Sequence, residues 1–268
     1  MKRLAAPLLA LLLLGAAPSA PLPALRVCAD PDNLPYSNAL GEGFDNRIAE
    51  LLAAELGMRV QYTWWAQGRG LVRKTLGAGA CDVLLGVPAD WDPVLATRPY
   101  YRSTYVFVWR RERALDVQSL DDPRLRTLRV GVQLIGDNGV NTPPAHALAR
   151  RGVVDNVRGY PVFGDHRATN PGSEILSAVA ADDIDVAIVW GPLAGYFAER
   201  LATPLALTPV TPPVDPPGLA FTFAMAAAVR KGDAALRDRL QRALDHRAGD
   251  IRAILDAYEV PRVEAPTP

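Results

Sequence analysis

The chain is poor in the residues that most often carry chemistry. Its 268 residues include two cysteines and three histidines. The cysteines, Cys28 and Cys81, do not have metal-motif spacing, and His146, His166 and His246 are scattered, so no metal centre is assigned. Neither charge sign dominates: 29 Lys and Arg balance 29 Asp and Glu. With no basic block interleaved with aromatics, nothing steers the chain toward nucleic acid or an anionic membrane. No nucleophile elbow and no phosphate-cradling glycine loop occurs. Long apolar runs are also missing beyond the first residues, and the run there, 4–17, falls short of the ~20 residues a spanning helix needs.

What is present begins with an export signature. Lys2 and Arg3 precede that apolar run, and small residues and prolines follow through Ala17, Pro18, Ser19 and Ala20. This order predicts a secretory signal peptide over residues 1–20, cut between 17 and 24, with an uncleaved anchor as the alternative. Once the signal is removed, no stable membrane insertion is expected. Export favours pairing of Cys28 with Cys81. A simple parallel register, however, sets Cys28 nearer Leu84 than Cys81, so the spacing leaves a bridge open.

Strands and helices then alternate. Strands are predicted at 25–29, 59–64, 82–87 and 105–109, with helices at 46–56 and 70–77. The 46–56 helix carries Ile48, Leu51, Leu52 and Leu56 at helical spacing. The pattern restarts with strands at 128–133, 157–163, 185–189 and 205–210 and helices at 142–150, 171–181 and 193–200. A proline-rich connector, 211–218, leads to a strand-like segment, 219–229, and two helices at 234–246 and 249–258. Alternation of this kind means mostly parallel sheets flanked by helices. The prediction is an α/β protein with two lobes: 25–110 plus 219–260, and 111–218, with a disordered tail at 261–268. Crossovers are expected near 106–111 and 218–223. The ligand position is the interlobe cleft, beyond the carboxyl ends of the strands.

Four first-lobe segments carry a resemblance. They are Leu25-Arg26-Val27-Cys28-Ala29-Asp30-Pro31-Asp32-Asn33-Leu34-Pro35-Tyr36-Ser37-Asn38, Gly41-Glu42-Gly43-Phe44-Asp45-Asn46, Cys81-Asp82-Val83-Leu84-Leu85-Gly86-Val87-Pro88, and Thr97-Arg98-Pro99-Tyr100-Tyr101-Arg102-Ser103-Thr104-Tyr105-Val106-Phe107. Together they resemble the quinoprotein-dehydrogenase-associated periplasmic binding proteins, the MxaJ/XoxJ group. In the second lobe the match rests on Arg129-Val130-Gly131-Val132-Gln133 and Asp185-Val186-Ala187-Ile188-Val189-Trp190-Gly191-Pro192. The resemblance implies a type II periplasmic binding fold. It also implies an accessory role toward a periplasmic methanol or alcohol dehydrogenase that uses pyrroloquinoline quinone (PQQ). Its further implication is departure from amino-acid-binding relatives, which hold the substrate carboxylate with an arginine after the third strand and the ammonium with an aspartate in the second lobe. Here the first region reads Pro88-Ala89-Asp90-Trp91-Asp92-Pro93, and Trp190 stands in the second. A buried zwitterion lacking both partners loses several kcal/mol of solvation, which argues against amino acids as ligands.

Candidate cleft residues are Asn33, Tyr36, Phe44, Trp65, Arg69, Trp91, Asp92, Tyr100, Gln133 and Trp190. Trp64 and Gln67 stand beside this set, and the loop Gly136-Asp137-Asn138 offers backbone N–H groups. Arg98, Tyr101 and Arg102 are the expected partner-facing residues, because tyrosine, tryptophan and arginine dominate interface hot spots. No residue pattern supports a cofactor held by this chain. Three functions remain in view: an accessory protein binding a dehydrogenase, a receptor delivering a small solute to a permease, and an enzyme using a carboxylate drawn from Asp30, Asp32, Glu42, Asp45, Asp90 and Asp92. The first is the expectation, and the chain is not expected to be an enzyme.

Overall fold

A computed structural model describes residues 21–68, 70–135, 141–162 and 170–264. The predicted signal peptide, Arg69, the Gly136-Asp137-Asn138 loop, His166 and residues 265–268 lie outside the described residues.

The first unit is built on β1 (Ala24–Ala29), α1 (Phe44–Glu55), β2 (Arg59–Trp64), the short α2 (Leu71–Lys74) and β3 (Val83–Pro88). β1 lies between β2 and β3 in parallel register, with Val27 beside Val83 and Cys28 beside Leu84. α1 begins two residues earlier than its periodicity suggests, and Phe44, Ile48, Ala49, Leu52 and Ala53 bury one face on the sheet. Of the helix expected over 70–77, one turn forms. Gly77 N–H bonds the carbonyl of Val72 and Ala80 N–H that of Thr75, so the segment closes as turns.

The second unit contains β5 (Val130–Leu134), α3 (Pro143–Arg150), β6 (Val157–Pro161), α4 (Glu174–Ala180), β7 (Val186–Trp190), α5 (Gly191–Ala198) and β8 (Leu205–Pro209). β5 is flanked by β7 and β6, both parallel to it.

Two long strands join the units: β4 (Tyr101–Arg110) and β9 (Thr222–Val229). β4 pairs with β9 over Tyr101–Thr104. From Tyr105 onward it pairs antiparallel with β7, and from Val106 with β8. The hydrogen-bonded path therefore runs β2-β1-β3-β9-β4-β7-β5-β6, with β8 also on β4. The expected crossover near 106–111 falls earlier in the structure, because β4 exchanges partners between Thr104 and Tyr105. The return crossover is at Phe221, whose carbonyl accepts from Tyr105 N–H at 2.9 Å.

β4 alternates faces with the period of a strand. Tyr105, Phe107 and Trp109 enter one core with Leu125, Val130, Val132 and Leu148, while Val106 and Val108 enter another with Ile175, Leu176, Ile184 and Leu193. Each such fully buried side chain contributes about 1.5–3 kcal/mol. The closing helices α6 (Ala234–His246) and α7 (Ala248–Ala257) return to the first unit, where Leu240, Leu244, Ile251 and Leu255 pack with Phe44, Ile48 and Leu52.

The expected disordered tail needs correction at its start. Ser103 Oγ donates to the carbonyl of Pro261 at 2.6 Å, and Val263 N–H donates to that of Arg102 at 3.1 Å, so the segment runs along the crossover strand. Among the described residues no helix is long and apolar enough to cross a membrane.

Candidate ligand cleft

β1, β3, β5 and β7 all end toward one cavity of about 390 Å³. Asp30, Gly86, Pro88, Gln133, Ile135 and Trp190 lie at those strand ends and line it. Carboxyl ends of parallel strands leave backbone groups and loop side chains facing a shared crevice, so ligands settle there.

Six of the residues expected in the cleft are on its wall: Asn33, Tyr36, Trp65, Gln67, Gln133 and Trp190. Trp190 forms edge contacts with Tyr105 (5.3 Å between centroids) and Phe223 (5.8 Å), so the two units and the crossover strands meet on its ring. The Trp190 backbone N–H donates to Gln133 Oε1 at 3.2 Å. Thr142 Oγ1 in turn donates to the Gln133 carbonyl at 2.5 Å. Across the cleft, Asn33 Nδ2 donates to Gln67 Oε1 at 2.5 Å. Both Asp30 oxygens are occupied, one by Asp32 N–H at 2.8 Å and one by Gln67 N–H at 2.6 Å. Trp65 is 40% exposed and has Lys74 Nζ 5.5 Å above its ring.

Other predicted residues fall elsewhere. Phe44 is fully buried as a hub of the first core, touching Tyr36, Tyr101 and Tyr258 edge-on, because it opens α1 on its sheet-facing side. Trp91 and Asp92 are carried past the cavity by the turn after β3, closed by Trp91 N–H to Pro88 carbonyl at 3.1 Å. Asp92 faces solvent and pairs with Lys231 at 3.2 Å. Trp64 stacks on Tyr62, 4.4 Å away, and is not on the cavity wall. Tyr100 sits behind the wall, where its hydroxyl accepts from Gly86 N–H at 3.1 Å. Of the expected partner surface, Tyr101 is core, with a buried hydroxyl that has no partner among the described residues. Arg98 is exposed but ion-paired with Asp245 on α6 at 2.6 Å. Arg102 is half-buried, and its carbonyl receives Val263. Cys28 and Cys81 form a disulfide with Cα atoms 5.5 Å apart. The register still sets Leu84 beside Cys28. Cys81, two residues before β3 begins, reaches Cys28 from the strand's approach.

Sequence reasoning missed Asn46, Tyr62, Tyr105, Phe223 and Met225 on the wall, and placed Asp45 only among generic carboxylates. The crossover strands supply Tyr105, Phe223 and Met225, and their alternating faces were the available signal. Asp45 is the unusual group. Burial pushes its carboxyl up to about 7, against a lowering hydrogen bond from Tyr100. That bond, Tyr100 hydroxyl to Asp45 Oδ1, is 3.3 Å long. Gly86, at φ +63°, approaches so closely that a Cβ there would lie 2.9 Å from Asp45 Oδ2. Burial, then the Asp45 charge, also raises the Tyr36, Tyr100 and Tyr101 phenols well above their ordinary value. Among the described residues no cluster of His, Cys, Asp and Glu could hold a metal ion.

No protein-family model matches the chain. It is 34% identical to "Protein MoxJ" of Methylorubrum extorquens, a match covering 88% of this chain and 81% of that protein. The crystal structure of periplasmic binding protein XoxJ from Methylobacterium extorquens AM1 aligns with a TM-score of 0.74 at 36% identity, covering 90% of this chain and all of that one. MxaJ from Methlophaga aminisulfidivorans MPT aligns with a TM-score of 0.78 at 26% identity, covering 89% and all. The chain thus has the two-lobed type II fold and belongs to the MoxJ/XoxJ/MxaJ family of periplasmic binding proteins.

Proposed function

We propose that the protein is a non-enzymatic periplasmic accessory factor that assists maturation or activation of a PQQ-dependent methanol or alcohol dehydrogenase by binding it. The observation that carries this reading is family membership along nearly the whole described chain, not a short motif. The proposed division into lobes, 25–110 with 219–260 and 111–218, sets the cleft mouth between two bodies that a partner can bridge. Two exposed tryptophans support a docking role: Trp65 at the mouth and Trp91 on the turn beyond β3, 40% and 37% exposed. Exposed indoles are strong anchors when a rigid surface meets a partner.

The test is retention of dehydrogenase from periplasm on the immobilised protein, comparing wild type with a Trp65→Ala, Trp91→Ala double variant of native circular dichroism. Retention by wild type and at least tenfold less by the variant is expected. If wild type retains no dehydrogenase while a small molecule co-purifies at one per protein, the accessory reading fails and a transport receptor takes its place. The cavity itself favours that second reading, since its volume of about 390 Å³ and largely apolar lining suit a small solute.

A further inference from the structure

The cavity wall has a one-sided chemistry. Its aromatic part is Tyr36, Tyr62, Trp65, Tyr105, Trp190 and Phe223. Its charged part, among the described residues, is acidic: Asp30 and Asp45, with no lysine, arginine or histidine on the wall. Asp30 is already satisfied by two backbone N–H groups. Asp45 is different, since its hydrogen-bond donor is one phenol at 3.3 Å and no described cation faces it. Beside it Asn46 is fully buried, with Oδ1 accepting from Gly43 and Asn38 N–H groups, which leaves the Nδ2 donor without a partner among the described residues.

We propose that this cavity binds a small organic ammonium ion bearing an oxygen, with the cationic head against Asp45 and the Tyr105, Trp190 and Phe223 rings around its carbon skeleton. Ring faces are electronegative and attract a desolvated cation, most strongly at tryptophan. A carboxylate buried without a counter-ion gains most from a ligand that brings one. An anion would meet two carboxylates on the wall and no described base among its lining residues. A zwitterionic amino acid would leave its own carboxylate unmatched. The Asn46 amide supplies a donor for a hydroxyl or ether oxygen on the same molecule. The titratable groups that face Asp45 are the phenols of Tyr36, Tyr62, Tyr100 and Tyr101, with Asp30 in the same cavity. The phenols, all shifted upward, stay neutral through the pH range of the test. The inference concerns the cavity and does not depend on the dehydrogenase partner.

The test is calorimetry on ligand-stripped full-length protein with two probes: choline, and 3,3-dimethylbutan-1-ol, which replaces its charged nitrogen by carbon. Choline should bind at pH 8 and lose about a hundredfold in affinity by pH 5, two units below the Asp45 value of about 7, while the probe keeps its own charge. The uncharged isostere should bind at least tenfold more weakly at pH 8, with no such pH dependence. Asp45→Asn should lose choline affinity at least tenfold. Equal affinity for the two probes, no choline binding at pH 8, or full affinity in a folded Asp45→Asn protein each overturns the proposal. The probe comparison requires no variant, so a misfolded Asp45→Asn leaves it decisive. Loss of choline binding with dehydrogenase retention intact separates a failure here from a failure of the accessory reading.

Discussion

Tyr258, at the end of α7, stacks face to face on Tyr196 of α5, with ring centroids 5.6 Å apart and planes 14° from parallel. Arg200 also lies over the Tyr196 ring, its guanidinium carbon 3.5 Å from the centroid. The chain's last helix, packed on the first unit, thereby clasps a helix of the second on the side of Gly195. A Cβ at Gly195 would lie 1.9 Å from the Glu259 carbonyl oxygen, so only glycine permits this approach. Tyr258→Ala should lower stability by about 1 kcal/mol, the usual contribution of an aromatic pair. Gly195→Ala should cost roughly 1–3 kcal/mol through overpacking. Urea midpoints measure both, and a Tyr258→Ala midpoint equal to wild type would show that the clasp contributes nothing.

The Cys28–Cys81 bridge closes a segment of sequence separation 53, which includes α1 and β2. Constraining an unfolded loop of that size stabilises by about 2–4 kcal/mol. The Cys28→Ala, Cys81→Ala protein should show that loss in denaturant titration. Reduction of wild type should bring it to a comparable midpoint.

Asp185 collects the ends of the second unit. Its carboxylate accepts from Arg129 N–H and from the Arg129 guanidinium, each at 2.6 Å, and from Arg113. The Arg129 hydrogen bonds are the main cause holding this carboxyl well below its ordinary range. A depressed carboxyl contributes stability above its unfolded value near 4 and loses it as pH falls toward the folded value. Asp185→Asn should therefore destabilise by roughly 1–2 kcal/mol at pH 7, a modest figure because both arginines are partly solvated. The gap between variant and wild type should narrow below pH 4, as read by thermal unfolding.

The sign reverses at Asp45. Its folded value of about 7 exceeds the reference 3.8, so the folded state holds a proton that the unfolded chain releases. Stability from this group falls as pH rises from 4 to 7 and then levels. Asp45→Asn removes that loss. The variant should gain on wild type across this window, reaching on the order of 4 kcal/mol at pH 8 for a shift of this size. Urea midpoints at pH 5 and pH 8 measure the difference. A constant gap would place the ionisation elsewhere.

Local periodicity made much of the fold legible. The apolar spacing in residues 234–246 defines α6 to the residue, and the apolar run at 82–87 gives β3 within one position. Those signals depend on neighbours a few residues away. The return of residues 222–229 to the first sheet was also legible, because an apolar strand follows the proline-rich connector before the closing helices. The cleft was legible only in part. Tyr36, Trp65 and Trp190 sit at strand ends and loops, where position alone implies the crevice.

Tertiary structure alone decided the remainder. In a strand a shift of one residue sends a side chain to the opposite face. By that rule Tyr101 and Tyr105, four residues apart, would share a face, yet Tyr101 packs in the first core while Tyr105, past the change of partners in β4, packs in the second and also lines the cavity. Phe44 and Asp45, adjacent in sequence, divide in the same way between core and cavity, because successive helical side chains diverge by roughly a quarter turn. Strand-helix alternation by itself determined the α/β class, and the order of residues 1–20 set the expectation of export. The half-buried Asp45 and the Cys28–Cys81 bridge depend on which distant strands become neighbours, and sequence spacing does not encode those distances.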